Sequence, residues 1–323
     1  MSDTTRQVVA VDVGGTKIAS ALVSLGDGRR PRISHAGKVP TEAALGGSRV
    51  LENVIASVRR VIDESGATAL AGIGVSSAGV IDPATGEVTY ANELMPGWGG
   101  TPLGARLADA FGLPTRVLND VHAHALGEAR WGGGLGKGSC LVVAVGTGIG
   151  GAFVNQGSIL LGAHNEAGHI GHVSCTDAAG IACPCGAVGH LEPIGAGPGI
   201  LSRYLELGGK PSCEDGSALD GAVIDRRAAA GDEAAIKAEA RAGHALGEVL
   251  GSMVNMFDPD CVILSGSVAK CGPAWRDALD AGWAEAVMPP VAGTPVVSGQ
   301  LGDDAPLIGA AENVITSGYA QLA

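Results

Sequence analysis

The run Val8–Val13 is apolar and valine-rich, broken only by Asp12 close to its end. That pattern predicts a buried strand that delivers one polar group at its tip. Gly14-Gly15-Thr16 then turns the chain, and Ile18–Val23 reads as a second strand. About 130 residues later the design returns. Cys140–Val154, CLVVAVGTGIGGAFV, is again an apolar strand, a glycine-rich turn and an apolar strand. The recurrence predicts two halves of similar construction facing each other across a cleft.

Between and after these units the period changes. Leu51–Glu64, Leu103–Phe111, Ala234–Phe257, Trp275–Val287 and Ala305–Ala320 space their apolar residues as helices do, and Asn119–Ala129 opens another helix. Gly112 and Pro114 end the second of these. Ala71–Val80, Thr115–Leu118 and Cys261–Leu264 read as strands, the last ending at Ser265-Gly266-Ser267. Strands alternating with helices indicate an α/β fold.

Composition narrows the partners. A formal net charge of −12, with 21 scattered Lys and Arg, argues against nucleic acid, which needs a basic surface. No apolar run reaches the roughly 18 residues that a membrane span requires. The first residues lack the charged and apolar regions of a signal peptide. Seven unevenly spaced cysteines do not form a secreted disulfide framework. The expected location is the cytoplasm, with neither a membrane nor a nucleic-acid partner.

Three segments carry chemistry. In DVGGTK, Gly14 and Gly15 let backbone N–H groups approach an anion, Thr16 adds a hydroxyl and Lys17 a cation. Asp12 is suited to hold Mg²⁺ through water beside a polyphosphate. The alternative is a plain hairpin turn. GTGIGG, with Gly146, Thr147, Gly148, Gly150 and Gly151, has the same capacity and the same alternative. Two such loops together favour a nucleotide. In LNDVHAHALGE, Asn119 and Asp120 sit where a strand meets a helix, the position at which α/β proteins place ligands. Asp120 could cap that helix, or accept a proton from a sugar hydroxyl during phosphoryl transfer. His122 and His124 read as surface or interface residues, and Trp98 as a residue that packs a loop.

These segments, with GVSSAGVID (Gly74–Asp82), AGHIGH (Ala167–His172), CPCGAVGHLE (Cys183–Glu192) and DPDCVILSGSVA (Asp258–Ala269), resemble the ROK family of sugar kinases and repressors in family order. The resemblance implies two actin-like (ribonuclease H-like) lobes closing on ATP, Mg²⁺ and a hexose. Residues 1–119, with a closing helix at 305–323 packing back, would form the first lobe, and 120–304 the second. It implies Asp120 as the general base, the two glycine loops as phosphate clamps and Gly266 near the adenosine. Asn92, Asn119, Asp120, His169, His172 and Glu192 match sugar-binding positions. Phosphate would go to the hydroxyl on carbon 6, and the protein would be a homodimer or homotetramer. Repressor members carry a DNA-binding domain before the first loop, which here begins at Asp12, so a kinase is expected. A non-catalytic sugar sensor, or a kinase using polyphosphate, are the alternatives.

Members of the family usually hold a structural zinc with one His and three Cys. Here His190 stands where the third Cys would be, so His172, Cys183, Cys185 and His190 offer four N/S ligands. Cys175 is a possible replacement. Zinc on one nitrogen of His172 would aim the other at the sugar, and the same clip would orient Glu192. His169 replaces a Glu common in glucose-specific members. GHIGH is the text of bacterial N-acetylmannosamine kinases, which tilts the expected substrate from glucose towards an N-acetylhexosamine.

Overall fold

The computed structural model describes residues 5–26, 29–213 and 217–316. In the first sheet, β1 (Arg6–Val13), β2 (Lys17–Gly26) and β3 (Arg29–Pro40) follow one another antiparallel. After α1 (Gly47–Ser65), β4 (Leu70–Ser77) joins the other side of β1 in parallel. A hairpin of β5 (Val80–Asp82) and β6 (Glu87–Tyr90), then α2 (Leu103–Phe111), leads to β7 (Thr115–Asn119), parallel to β4. α3 (Asp120–Trp131) follows at once.

The second sheet opens with β8 (Ser139–Val145), β9 (Ile149–Asn155) and β10 (Ser158–Ile159). Helices α4 (Glu192–Gly195), α5 (Gly197–Glu206), α6 (Gly221–Ala229) and α7 (Glu233–Phe257) precede β11 (Cys261–Ser265). The chain closes with α8 (Pro273–Ala286), β12 (Val296–Ser298) and α9 (Ala305–Thr316). The orders are β3-β2-β1-β4-β7 and β10-β9-β8-β11-β12. Counted along the chain, each is third, second, first, fourth, fifth. The strand–glycine–strand repeat in the sequence thus marks two sheets of identical topology. No helix among the described residues is long and apolar enough to cross a membrane.

β1 is continuously apolar because both its faces are covered. Val9, Val11 and Val13 join Val50, Val54 and Val58 of α1 and Leu103 and Leu107 of α2. Val8 and Ala10 join Leu307, Ile308 and Ala311 of α9. In the second sheet, Leu141, Val143 and Val145 pack with Leu246 and Leu250 of α7 and with Trp275.

The chain divides into two compact units. One takes in residues through Ser139, Ala152–Ala167 and the stretch from Gln300 onward; the other holds Cys140–Gly151 and Gly168–Gly299. The boundary expected at 119/120 lies inside the first unit. α3 stays there because it packs closely on α9: a methyl on Gly309 would collide with the Ala123 carbonyl, and one on Gly127 with the Ala305 carbonyl. The closing helix is described to Thr316; the remainder of the expected 305–323 segment lies outside the described residues. β3, the β5–β6 hairpin, α5 and α6 had no sequence expectation. β3 reads RRPRISHAGKVP, a basic, proline-containing edge strand whose composition hides its conformation.

The α3–α9 contact supplies a stability test. Gly309→Ala should destabilise the protein by about 1–3 kcal/mol through overpacking, read as a lower urea midpoint. Gly15→Ala, whose added Cβ would meet nothing within 4 Å, should leave the midpoint unchanged.

Candidate functional site

Three parallel strands of the first sheet end together. Register pairs Asp12 of β1 with Ser76 of β4, and Ser77 of β4 with Asn119 of β7. Carboxyl ends of parallel strands are where open α/β sheets bind ligands. Asp12 accepts a 2.6 Å hydrogen bond from Ser76 Oγ. Burial raises its pKa, opposed by the Ser76 bond and by Lys17.

The residue that caps α3 is Asn119. Its Oδ1 accepts from the N–H groups of Val121 (2.9 Å) and His122 (3.3 Å), and its Nδ2 donates to the Gly79 carbonyl at 2.9 Å. Its side-chain amide also hydrogen-bonds the Asp120 carboxylate, which opposes the rise in that group's pKa. Asp120 is therefore freed from the capping role that sequence left open, although its Oδ1 also accepts from Val121 N–H at 2.9 Å. Burial, followed by the negative charge of Asp12, raises the Asp120 pKa to about 6. Asp120 is thus a half-buried carboxyl poised near neutrality beside a second carboxylate, a combination typical of working sites.

The first glycine turn is pinned by a residue that sequence gave no reason to single out. Thr41, fully buried after β3, donates from Oγ1 to the Gly14 carbonyl at 2.6 Å and from its N–H to the Thr16 carbonyl at 3.1 Å. Gly15, Thr16 and Lys17 remain exposed. Lys17 approaches Asp303 at 3.9 Å, both side chains being well exposed. Asn92 is exposed in a turn, where its Oδ1 accepts from Leu94 N–H at 3.1 Å.

Trp98 is fully buried and donates from Nε1 to Ser77 Oγ at 3.1 Å, holding its loop to the end of β4. Of the surface and lobe-interface readings of the two histidines on α3, the surface one is excluded. His122 is 4% exposed and its Nε2 hydrogen-bonds the Ala167 carbonyl at 3.0 Å. His124 keeps a buried Nε2, and burial lowers its pKa. Both are enclosed because α3 is covered by packing in place of solvent.

In the second unit, the turn Gly146–Gly148 follows β8, closed by Gly146 N–H donating to the Gly148 carbonyl at 2.9 Å. Gly150 and Gly151 belong to β9 and not to the turn. Gly197, the first residue of α5, donates its N–H to the Gly146 carbonyl at 2.9 Å. Thr147 and Gly148 are exposed. Glu192, opening α4, accepts from Ile149 N–H at 2.9 Å and so sits against this turn. Gly266 follows β11 with φ +93, and a Cβ there would strike the Val145 carbonyl, so its backbone position excludes other residues.

A knuckle of short bridges gathers the Cys/His set. Ser174 pairs with His190 and Ala182 with Val188, while Cys183 N–H donates to the Ala187 carbonyl at 2.8 Å. Ligand atoms of His172, Cys183, Cys185 and His190 all lie within 4.8 Å of one another. His172 Nδ1 is 3.5 Å from Cys183 Sγ, and His190 Nδ1 is 3.3 Å from Cys185 Sγ. Cys175 does not belong to this group; it is packed in the core, where burial raises its pKa. The His169 ring stacks on His172 at 6.1 Å between centroids and 15° between planes.

The profile of the ROK family matches residues 8–316. A glucokinase of Halalkalibacterium halodurans is 31% identical over 320 residues, covering 96% of this chain and 94% of its own. An N-acetylmannosamine kinase of Escherichia coli O157:H7 is 30% identical over 261 residues, covering 80% of this chain and 82% of its own. The crystal structure of a ROK family glucokinase from Streptomyces griseus, in complex with glucose and AMPPNP, is similar with a TM-score of 0.74. It is 26% identical and covers 95% of this chain and 98% of its own.

The Asp120 pKa fixes the sign of a stability effect. A raised folded-state pKa means that the fold favours the protonated acid. Its contribution is full below the ordinary 3.8 and is lost as pH rises through about 6. Asp120→Asn should therefore be more stable than the parent at pH 7–8, by up to about 3 kcal/mol. The gain should vanish below pH 4, as thermal melts across pH would read.

Proposed function

The chain belongs to the ROK family, and from that membership we propose that it is an ATP-dependent sugar kinase. Its proposed substrate is a hexose or N-acetylhexosamine, with N-acetylmannosamine or glucose foremost, phosphorylated at the 6-hydroxyl. The observation that carries the reading is Asp120: a half-buried carboxyl beside the Asn119 cap, with a pKa of about 6. Above that pH it is ionised and able to accept a proton, which suits a base working near neutrality.

In the proposed reaction the sugar hydroxyl gives its proton to Asp120 while its oxygen attacks the γ-phosphorus. The bond from that phosphorus to the bridging oxygen breaks, and ADP leaves. The exposed N–H groups around Gly14–Thr16 and Gly146–Gly148 would bind phosphate oxygens, and Lys17 would add charge. Asp12, tied to Ser76, would hold water on Mg²⁺, which supplies charge neutralisation to the triphosphate when bound. Asn92, Asn119, His169, His172 and Glu192 would bind the sugar. Gly266 would lie near the adenosine.

The knuckle fits a structural zinc. A tetrahedral ion with sulfur and nitrogen ligands has an N–S edge of roughly 3.5 Å. The two N–S separations here are 3.5 and 3.3 Å. With Nδ1 of His172 facing the sulfurs, its Nε2 is left to meet a sugar hydroxyl.

A coupled ADP-release assay with glucose, N-acetylglucosamine, N-acetylmannosamine, mannose and fructose tests the reading. Sugar-dependent ADP release is expected, and none with any sugar would favour a sensor. Asp120→Asn should keep sugar binding and lose about 10²–10⁴-fold in kcat; near-parental turnover would remove Asp120 as the base. For the parent, kcat/KM should fall about tenfold per pH unit below pH 6. Cys185→Ser should lower bound zinc and raise the sugar KM more than it lowers kcat.

A further inference from the structure

A second cluster of ligand-type side chains lies in the second unit, outside the knuckle. Asp225 of α6, Glu239 of α7 and Cys271 in the turn entering α8 each present an oxygen or sulfur within 4.8 Å of the other two. They come from three separate segments, so no local motif brings them together. Glu239 is 1% exposed, and neither of its carboxyl oxygens has a hydrogen-bond partner although the Cys271 thiol lies alongside. A buried carboxyl whose one neighbouring donor is a weak thiol is costly and rare. Its neighbour Asp225 is fixed against the same turn, accepting from Gly272 N–H at 2.8 Å.

Left to themselves these groups repel. Burial and then Asp225 raise Glu239 to about 7, while burial and then Glu239 push the Cys271 thiol up to about 12. A dication reverses that balance by accepting all three as anions. The donor set then selects the ion. A thiolate with two carboxylates suits a zinc-class cation and not the all-oxygen shells of Mg²⁺ or Ca²⁺. Three anions on a dication leave one negative charge, and the positive charge of Arg276 acts on Cys271.

We propose that Asp225, Glu239 and Cys271 form a second metal site that takes one zinc-class divalent cation, with water as fourth ligand. On binding, Cys271 and Glu239 release their protons to solvent and no redox change occurs. The ion would staple α6 and α7 to the turn between β11 and α8, the turn that begins at Ser265-Gly266-Ser267.

The test is elemental analysis of full-length protein saturated with Zn²⁺ and passed over a chelating resin. Glu239→Gln and Cys271→Ser should each lose one equivalent of zinc relative to the parent, whatever the parent total, so loss of the knuckle ion is read separately. Both variants keeping the parental zinc content would overturn the site and leave Glu239 a protonated core acid. Should either variant fail to fold, ¹¹³Cd NMR of the cadmium-loaded parent decides. A resonance from an ion with one sulfur ligand, distinct from the two-sulfur knuckle, is expected. Its absence overturns the proposal.

Discussion

The first residue of a helix is among the cheapest places to hold a negative charge, because unpaired N–H groups and the helix dipole favour an anion. Asp120 occupies that position and still has a raised pKa of about 6. Burial outweighs the helix even though Asp120 shares the Val121 N–H with Asn119 and accepts from the Asn119 amide. A second carboxylate, Asp12, then adds to the penalty. Two adjacent residues thus divide the work: the amide terminates the helix, and the acid is left with a charge that the fold does not fully compensate. A ligand hydroxyl that donates a hydrogen bond, or a cation beside Asp12, would supply what the protein withholds. The base role assigned to Asp120 depends on that imbalance.

The two sheets repeat one topology, and each sets a glycine-bearing turn after its first strand. The glycines of the sequence motifs do different physical work. Gly15 needs neither an unusual dihedral angle nor protection from collision, since a Cβ would meet nothing within 4 Å. What it provides is an open approach to backbone N–H groups. Gly266 is the opposite case. Its positive φ and the Val145 carbonyl together exclude any side chain, so it would be required with or without a nucleotide. A glycine in a motif is therefore informative about ligands only where the fold itself would tolerate an alanine.

Elements with a strong period were legible from sequence. Leu103–Phe111 was expected and found with the same bounds, because Gly112 and Pro114 mark its end. The continuous apolar run of β1 correctly announced burial on both faces. β3 escaped because its arginines and proline look like a loop, and the pairing that makes it a strand comes from β2. Likewise Thr41 and Ser76 could not be found, since their importance lies in hydrogen bonds to Gly14 and Asp12 across large sequence separations. Asp120 was legible as a candidate because strand-to-helix junctions have a sequence signature, and Asp12 because it breaks an apolar run. The division of labour between Asn119 and Asp120 was not, since both residue types cap helices well.

The convergence of the Cys/His knuckle does not rest on a metal alone. Bridges from Ser174 to His190 and from Ala182 to Val188, with Cys183 N–H bonded to Ala187, already fold the segment so that four ligand atoms converge. An ion there would chiefly fix the orientation of the two imidazoles, which backbone bonds do not control. Glu192 is a separate matter. Sequence proximity to His190 suggested that the same clip orients it, yet its carboxylate is bonded to Ile149 N–H, in the strand that leaves the GTGIGG turn. Metal removal should then disturb His172 more than Glu192, whereas a change in the turn should do the reverse. Sugar recognition by His172 and phosphate binding by the turn would accordingly have distinct supports, with Glu192 belonging mechanically to the second.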